Sequence, residues 1–262
     1  MKTLVITLPN AVERQAKIEK NFKSCNINYM TVNGVSELDM VFNRSFPSYT
    51  FEGKKFDINH TNLLKYTNRS WVRFGEIAAL MAHYKIWKDL CNDEDDEVYL
   101  ICEDDCFPSS EHIMTNLNKF DYSKLDFLYL QAVTSHYQNK DQYIKVLPTA
   151  KWDQNLKIIS TEKNYICEGM AAYCITKTGA QKLCSHIEQN GYDGPVDNII
   201  TRLKDFECTC PVNLNDYFYL DDTSNFSYTH TGDFLNRYDL NGIELQAKIT
   251  LQIEETNGTL LS

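Results

Sequence analysis

"KTLVITLPNAVERQAKIEKNF", residues 2–22, followed by "INYMTVNG", residues 27–34, decides the fold class. The run KTLVITL is apolar and closes at Pro9-Asn10, as a short buried strand would. Beyond it, Val12, Ile18 and Phe22 fall at near-helical spacing with charges between them. A second strand then ends at Gly34. Strand, helix and strand at this length form the βαβ unit of a parallel sheet, whose ligands gather at the carboxyl ends of the strands. Pro9-Asn10 and Asn33-Gly34 are therefore candidate rim positions.

"VYLICEDDCFP", residues 98–108, drives another apolar run into three consecutive carboxylates, Glu103, Asp104 and Asp105. Adjacent anions repel, and burying one unpaired forces it to take up a proton or find a cation. A hard divalent ion suits such a strand end, because Mg²⁺ and Mn²⁺ take oxygen ligands and share them with substrate phosphates. Glu103 and Asp105, two apart, can both turn toward it. A solvent-facing acidic turn is the plainer alternative, and the triplet alone does not choose.

The chain has 262 residues and 43% hydrophobic content, enough for one large domain or a domain with an appendage. Lys+Arg 26 against Asp+Glu 36, a net charge of -10, argues against nucleic acid or an anionic membrane as a general partner. The opening "MKTLVITLPN" is too short for a signal-peptide core, and no run approaches the ~18 apolar residues of a transmembrane segment. The expected location is the cytoplasm. Most of the nine cysteines sit in apolar runs (Cys102, Cys167, Cys174, Cys184) and read as reduced thiols. Cys208/Cys210 and Cys102/Cys106 lack the spacing of a zinc site.

Residues 35–68 show no sustained period, which leaves two readings: a functional flap, or elements with weak signals. "RFGEIAALMAHYKIWKDLC" is a helix, with Ile77, Leu80, Met81, Tyr84 and Trp87 at spacings of three and four, and "NDEDDE" is its solvated exit loop. "HIMTNLNKF" reads as a short helix and "LDFLYL" as a strand. Residues 131–166 are polar and aromatic, with strand-like pieces such as "YIKVL". "AAYCITKTGAQKLCSHIEQ" passes from strand to helix around Thr176, and "GPVDNIITRL" opens a helix at Pro195. Past Pro211 the chain reads as irregular, and "GIELQAKITLQIEE" fits a strand or a terminal helix.

"GEIAALMAHYKIW" and "VYLICEDDCF" together resemble the two signature blocks of glycosyltransferase family 25, the lipopolysaccharide and collagen galactosyltransferase group, roughly G-E-x-G-C-x-x-S-H-x-x-x-W and L-I-L-E-D-D. Gly75, Glu76, His83 and Trp87 match in register. "VITLPNAVERQAKIEKNF" is similar to the family's opening I-N-L-x-R-x-x-x-R, "TVNG" to A-V-D-G, "GMAAYCITKTGAQKL" to G-x-x-x-Y-x-I-S-x-x-G-A-x-K-L, and "PVDNII" to its P-x-D. The likeness spans most of residues 1–205. Asn10 and Glu13 disturb the arginine pattern and leave Arg14 as its main candidate; Ala82 replaces Ser and Asn33 replaces Asp.

The resemblance implies an α/β fold of the GT-A type, with a mixed, mostly parallel sheet flanked by helices over residues 1–210 and a C-terminal extension, 211–262, packed on it. It implies a UDP-sugar donor, usually UDP-galactose, and Mn²⁺ or Mg²⁺ as cofactor. The acceptor would be a hydroxyl of a glycan or glycolipid such as lipooligosaccharide, joined with inversion to give a β-linkage. A lipid-linked acceptor would bring the enzyme to the inner membrane face without a built-in anchor. Glu103 and Asp105 would bind the metal, joined by His230 in "YTHTGD". Leu8, Arg14, Asn33, Glu76, His83 and Asp104 would lie on the donor side. Asp197 in "PVDN" would be the base, since an acid at a helix start stays ionised, with Glu168 as runner-up.

Plainer readings stand beside these: Asp197 as helix stabiliser, His83 as a satisfied core histidine, Arg14 as an exposed helix charge, His230 as a surface residue. Trp71, Trp152 and Tyr173 fit acceptor stacking or core packing. A metal-dependent phosphohydrolase or nucleotidyltransferase, and a non-catalytic UDP-sugar-binding protein, are the competing functions.

Overall fold

A computed structural model describes residues 1–43, 47–131, 156–159, 170–200, 202–211, 217–221, 237–239, 244–246 and 252–254. The chain divides into two compact units, the first from residues 1–34, 85–184 and 197–225, the second from 35–84, 185–196 and 226–262. The long helix Phe74–Asn92 and the helix Lys177–Asn190 each contribute residues to both.

The first unit is built on a seven-stranded sheet in the order Met30–Asn33, Lys2–Thr7, Val98–Glu103, Ala172–Thr176, Phe127–Gln131, Cys208–Pro211, Leu156–Ile159. The first three strands are parallel, Ala172–Thr176 is antiparallel to both neighbours, Cys208–Pro211 is parallel to Phe127–Gln131, and Leu156–Ile159 is antiparallel. Five of the seven strands therefore point one way. This is the expected α/β architecture, a mixed, mostly parallel sheet with helices. The opening βαβ unit is present, its helix running over Val12–Ser24.

Every residue of Ala172–Thr176 and Phe127–Gln131 is buried, the mark of central strands covered on both faces. One face carries Leu100, Cys102, Leu128, Leu130 and Cys174 against Ile18 and Phe22 of the first helix and Ile113 and Leu117 of the helix Ile113–Asn118. Val12, the first residue of the helix, does not join this face and is 69% exposed. On alternating positions Tyr173 stacks on Phe127 at 4.5 Å and its hydroxyl accepts from Trp87 Nε1 at 3.0 Å. Tyr173 is thus a core residue and its ring is closed to a sugar. Cys25, Cys102, Cys106 and Cys174 are buried free thiols.

In the second unit Met40–Asn43, Ser48–Phe51 and Lys54–Asp57 form an antiparallel meander, and Gln252–Glu254 joins it parallel to Met40–Asn43. The hairpin turn places Glu52 at φ 48° and Gly53 at φ 75°, the two positive angles that match the twist of its strands. The helix His60–Thr67 follows, Asn59 Oδ1 accepting from the Asn62 amide at 3.0 Å, and Asn68 ends it in the left-handed region. The described part of residues 35–68 therefore holds secondary-structure elements, with strands too short to declare a period.

Trp71–Arg73, Arg237–Asp239 and Glu244–Gln246 form a further antiparallel sheet. Within "GIELQAKITLQIEE" the described residues, Glu244–Gln246 and Gln252–Glu254, are both strands, the first of the two readings the sequence allowed. Past Pro211, Phe218–Leu220 is also a strand, paired with Cys106–Pro108 in the first unit.

Candidate active site

Lys2–Thr7, Met30–Asn33 and Val98–Glu103 end side by side, with Thr7 level with Asn33 and Ile6 level with Glu103. Gly34 donates its amide to the Thr7 carbonyl at 2.8 Å, and a Cβ there would come within 3.3 Å of the Leu8 side chain, so glycine lets the second strand close on the first. Asn33-Gly34, a rim position expected from the sequence, thereby shares one edge with the end of Lys2–Thr7 and the acidic triplet.

Glu103 is the last strand residue, its amide donating to the Ala171 carbonyl at 2.7 Å. Asp104 and Asp105 make the turn into Cys106–Pro108. Asp104 is buried, and both its oxygens are engaged: Oδ2 accepts from the Thr7 hydroxyl at 3.0 Å and Oδ1 from Arg14 Nη1. The Arg14 side chain is only 15% exposed and also lies 3.9 Å from Asp105 Oδ2. Arg14 is therefore not the exposed helix charge that its spacing allowed. Burial pushes the Asp104 carboxyl up, with Arg14 and Thr7 opposing.

Asp105 differs. Its Oδ1 is buried with no hydrogen-bond partner. Its pKa is raised, first by burial and then by the negative charge of Glu103, and Arg14 only partly offsets this. A buried anion with an unused oxygen is costly unless a cation completes it. A hard divalent ion fits this donor set, which offers carboxylate oxygens only. Among the described residues no group of three or more His, Cys, Asp or Glu stands ready for a metal. His230, the expected third ligand, lies outside the described residues, as do Glu168 and Trp152.

Asp197 occupies the first turn of the helix Val196–Ile200, its Oδ1 accepting from the Asn198 amide at 2.9 Å. Glu76 and His83 belong to the second unit. Glu76 accepts from Arg69 at 2.8 Å and from the Tyr192 hydroxyl at 3.1 Å, while His83 is buried. Trp71 is flanked by the Arg69 and Arg73 guanidinium groups at 5.2 and 5.4 Å from its ring. Sequence reasoning missed Thr7: nothing in "VITLPN" marks that hydroxyl, and only the parallel pairing puts it beside Asp104.

No helix among the described residues is long and apolar enough to cross a membrane. No curated protein matches the chain. Similar solved structures include an active-site mutant of LgtC, at 11% identity and TM-score 0.41, over 79% of this chain and 70% of that one. Another is the galactosyltransferase LgtC in complex with donor and acceptor sugar analogues, at 12%, TM-score 0.39, over 79% and 71%. A third is a mutant of Drosophila β-1,4-galactosyltransferase 7 in complex with manganese, UDP-Gal and xylobiose, at 13%, TM-score 0.39, over 96% and 82%. The family model described as "Glycosyltransferase family 25 (LPS biosynthesis protein)" matches residues 1–200, a span that includes the Arg14 helix, the carboxylate turn and Asp197. The chain belongs to glycosyltransferase family 25.

Proposed function

We propose that this family 25 glycosyltransferase moves galactose from UDP-galactose to a hydroxyl of a glycan or glycolipid acceptor such as lipooligosaccharide, with inversion to a β-linkage. The observation that carries the donor half of the proposal is the buried, unpartnered Oδ1 of Asp105 beside Glu103 at the carboxyl edge of parallel strands. That edge is where open α/β sheets take phosphorylated ligands.

Glu103 and Asp105 would hold Mn²⁺ or Mg²⁺, with His230 as a third protein ligand. Bound there, the ion supplies the positive charge that stabilises a departing nucleoside diphosphate. Leu8, just past the end of the strand Lys2–Thr7, and Asn33, paired with Thr7, would border the donor. Asp197, in the first turn of the helix Val196–Ile200, would take the proton of the acceptor hydroxyl. Glu168 is the other candidate for this proton. Work on a lipid-linked acceptor would place the chain in the cytoplasm, at the inner membrane face.

The deciding experiment incubates the protein with Mn²⁺, a panel of UDP-sugars and candidate acceptors, scoring incorporated sugar by mass spectrometry and anomeric configuration by NMR. Incorporated β-galactose is the expected product. UDP release with no sugar on any acceptor would favour a hydrolase, and an α-linked product would exclude inversion.

A further inference from the structure

The Arg14 guanidinium stands between two carboxylates and bonds only one of them closely. It donates to Asp104 Oδ1, while Asp105 Oδ2 is 3.9 Å away. Asp104 is doubly anchored, since the Thr7 hydroxyl holds its other oxygen at 3.0 Å. An arginine released from Asp104 would need only a small rotation to pair with Asp105, because the guanidinium carries several donors in a rigid fork.

We infer that Asp104 is a positioning residue that, anchored by Thr7, holds Arg14 on itself and so leaves Asp105 available to a divalent cation. This rests on the metal-binding reading given under Proposed function. It assigns different tasks to neighbouring acids: Asp104 faces inward to an arginine and a threonine, and Asp105 keeps an oxygen for the ligand. It also accounts for a buried cation beside a site meant for another cation, an arrangement that by simple repulsion would weaken metal binding.

The test measures Mn²⁺ affinity in the presence of UDP, by electron paramagnetic resonance of free Mn²⁺, on the wild-type chain, Asp104→Asn and the double variant Arg14→Met/Asp104→Asn, each checked for cooperative thermal unfolding. Asp104→Asn frees Arg14 to pair with Asp105 and is expected to weaken Mn²⁺ binding by about 10- to 100-fold, the range for lost supporting partners of a metal site. Removing Arg14 as well should bring the affinity back to within a few-fold of wild type. A purely structural role would give no such restoration. An unchanged affinity in Asp104→Asn, or a double variant no better than the single, overturns the inference; the second result would make Asp104 itself a ligand. If Asp104→Asn does not fold, the double variant decides alone: near-wild-type affinity supports the inference, and a loss of about tenfold or more overturns it. A wild-type chain that binds no Mn²⁺ overturns the metal reading, and the inference with it.

Discussion

Arg14 and Asp105 lie 3.9 Å apart, close enough to attract but without a hydrogen bond between them, and the buried Asp105 Oδ1 has no hydrogen-bond partner. The anionic form of this carboxylate is therefore a source of instability in the metal-free chain, as its raised pKa also indicates.

Asp105→Asn should consequently leave the melting temperature of the metal-free protein unchanged or higher, while abolishing Mn²⁺-dependent UDP binding and sugar transfer. Differential scanning calorimetry and isothermal titration check the two halves separately. Normal transfer by this variant would rule out Asp105 as a cation ligand.

Thr7→Val should cost about 1.5–3 kcal/mol, because it deletes a buried hydrogen bond to an ionised partner while keeping the side-chain volume. Thr7→Ser should recover most of that loss. Urea unfolding of both variants measures it, and equal stability of the valine and serine variants would mean the hydroxyl contributes nothing.

Glycine substitutions in the second unit should differ sharply. Gly191 has φ +68°, and a Cβ there would lie 2.0 Å from the Asp57 carbonyl oxygen, so Gly191→Ala must displace backbone and should cost at least about 2 kcal/mol. Gly53 has φ +75° with nothing within 4 Å, so Gly53→Ala carries only conformational strain, about 1 kcal/mol. Melting temperatures rank the two, and comparable shifts would contradict the close approach.

Acid sensitivity should trace partly to Asp93. Hydrogen bonds first from Lys2 and then from Tyr99 hold its carboxyl well below the usual carboxylate range. A group with a depressed folded-state pKa stabilises fully above its unfolded value, about 3.9, and that contribution is lost as pH falls through the folded value. Asp93→Asn should therefore lose less stability than wild type between about pH 5 and pH 2. Thermal melts across that window compare them.

Asp197→Asn should bind UDP as wild type does yet transfer sugar about 100-fold more slowly or worse, the scale of a lost general base. Transfer within a few-fold of wild type would assign the base elsewhere, with Glu168 the next residue to replace.

Local signals explain which elements were legible in advance. The helix Phe74–Asn92 announces itself through apolar residues at three and four, and the βαβ opening through a clean change of period. The meander strands Met40–Asn43, Ser48–Phe51 and Lys54–Asp57 have four residues each, so alternation ends before it can be distinguished. "NDEDDE" reads as a solvated loop, yet Asp93 is tied to Lys2 and Tyr99 and Asp96 to the chain's amino terminus at 2.6 Å. Those partners are separated along the chain or placed by strand register, which composition does not carry.

By itself the sequence determined the family, the βαβ opening and the acidic end of the strand Val98–Glu103, because each depends on residues close together in the chain. Only the tertiary structure decided which acid of the triplet turns inward. Thr7 and Asp104 are 97 positions apart, and their bond exists because two parallel strands end level and a helix carries Arg14 back over that edge.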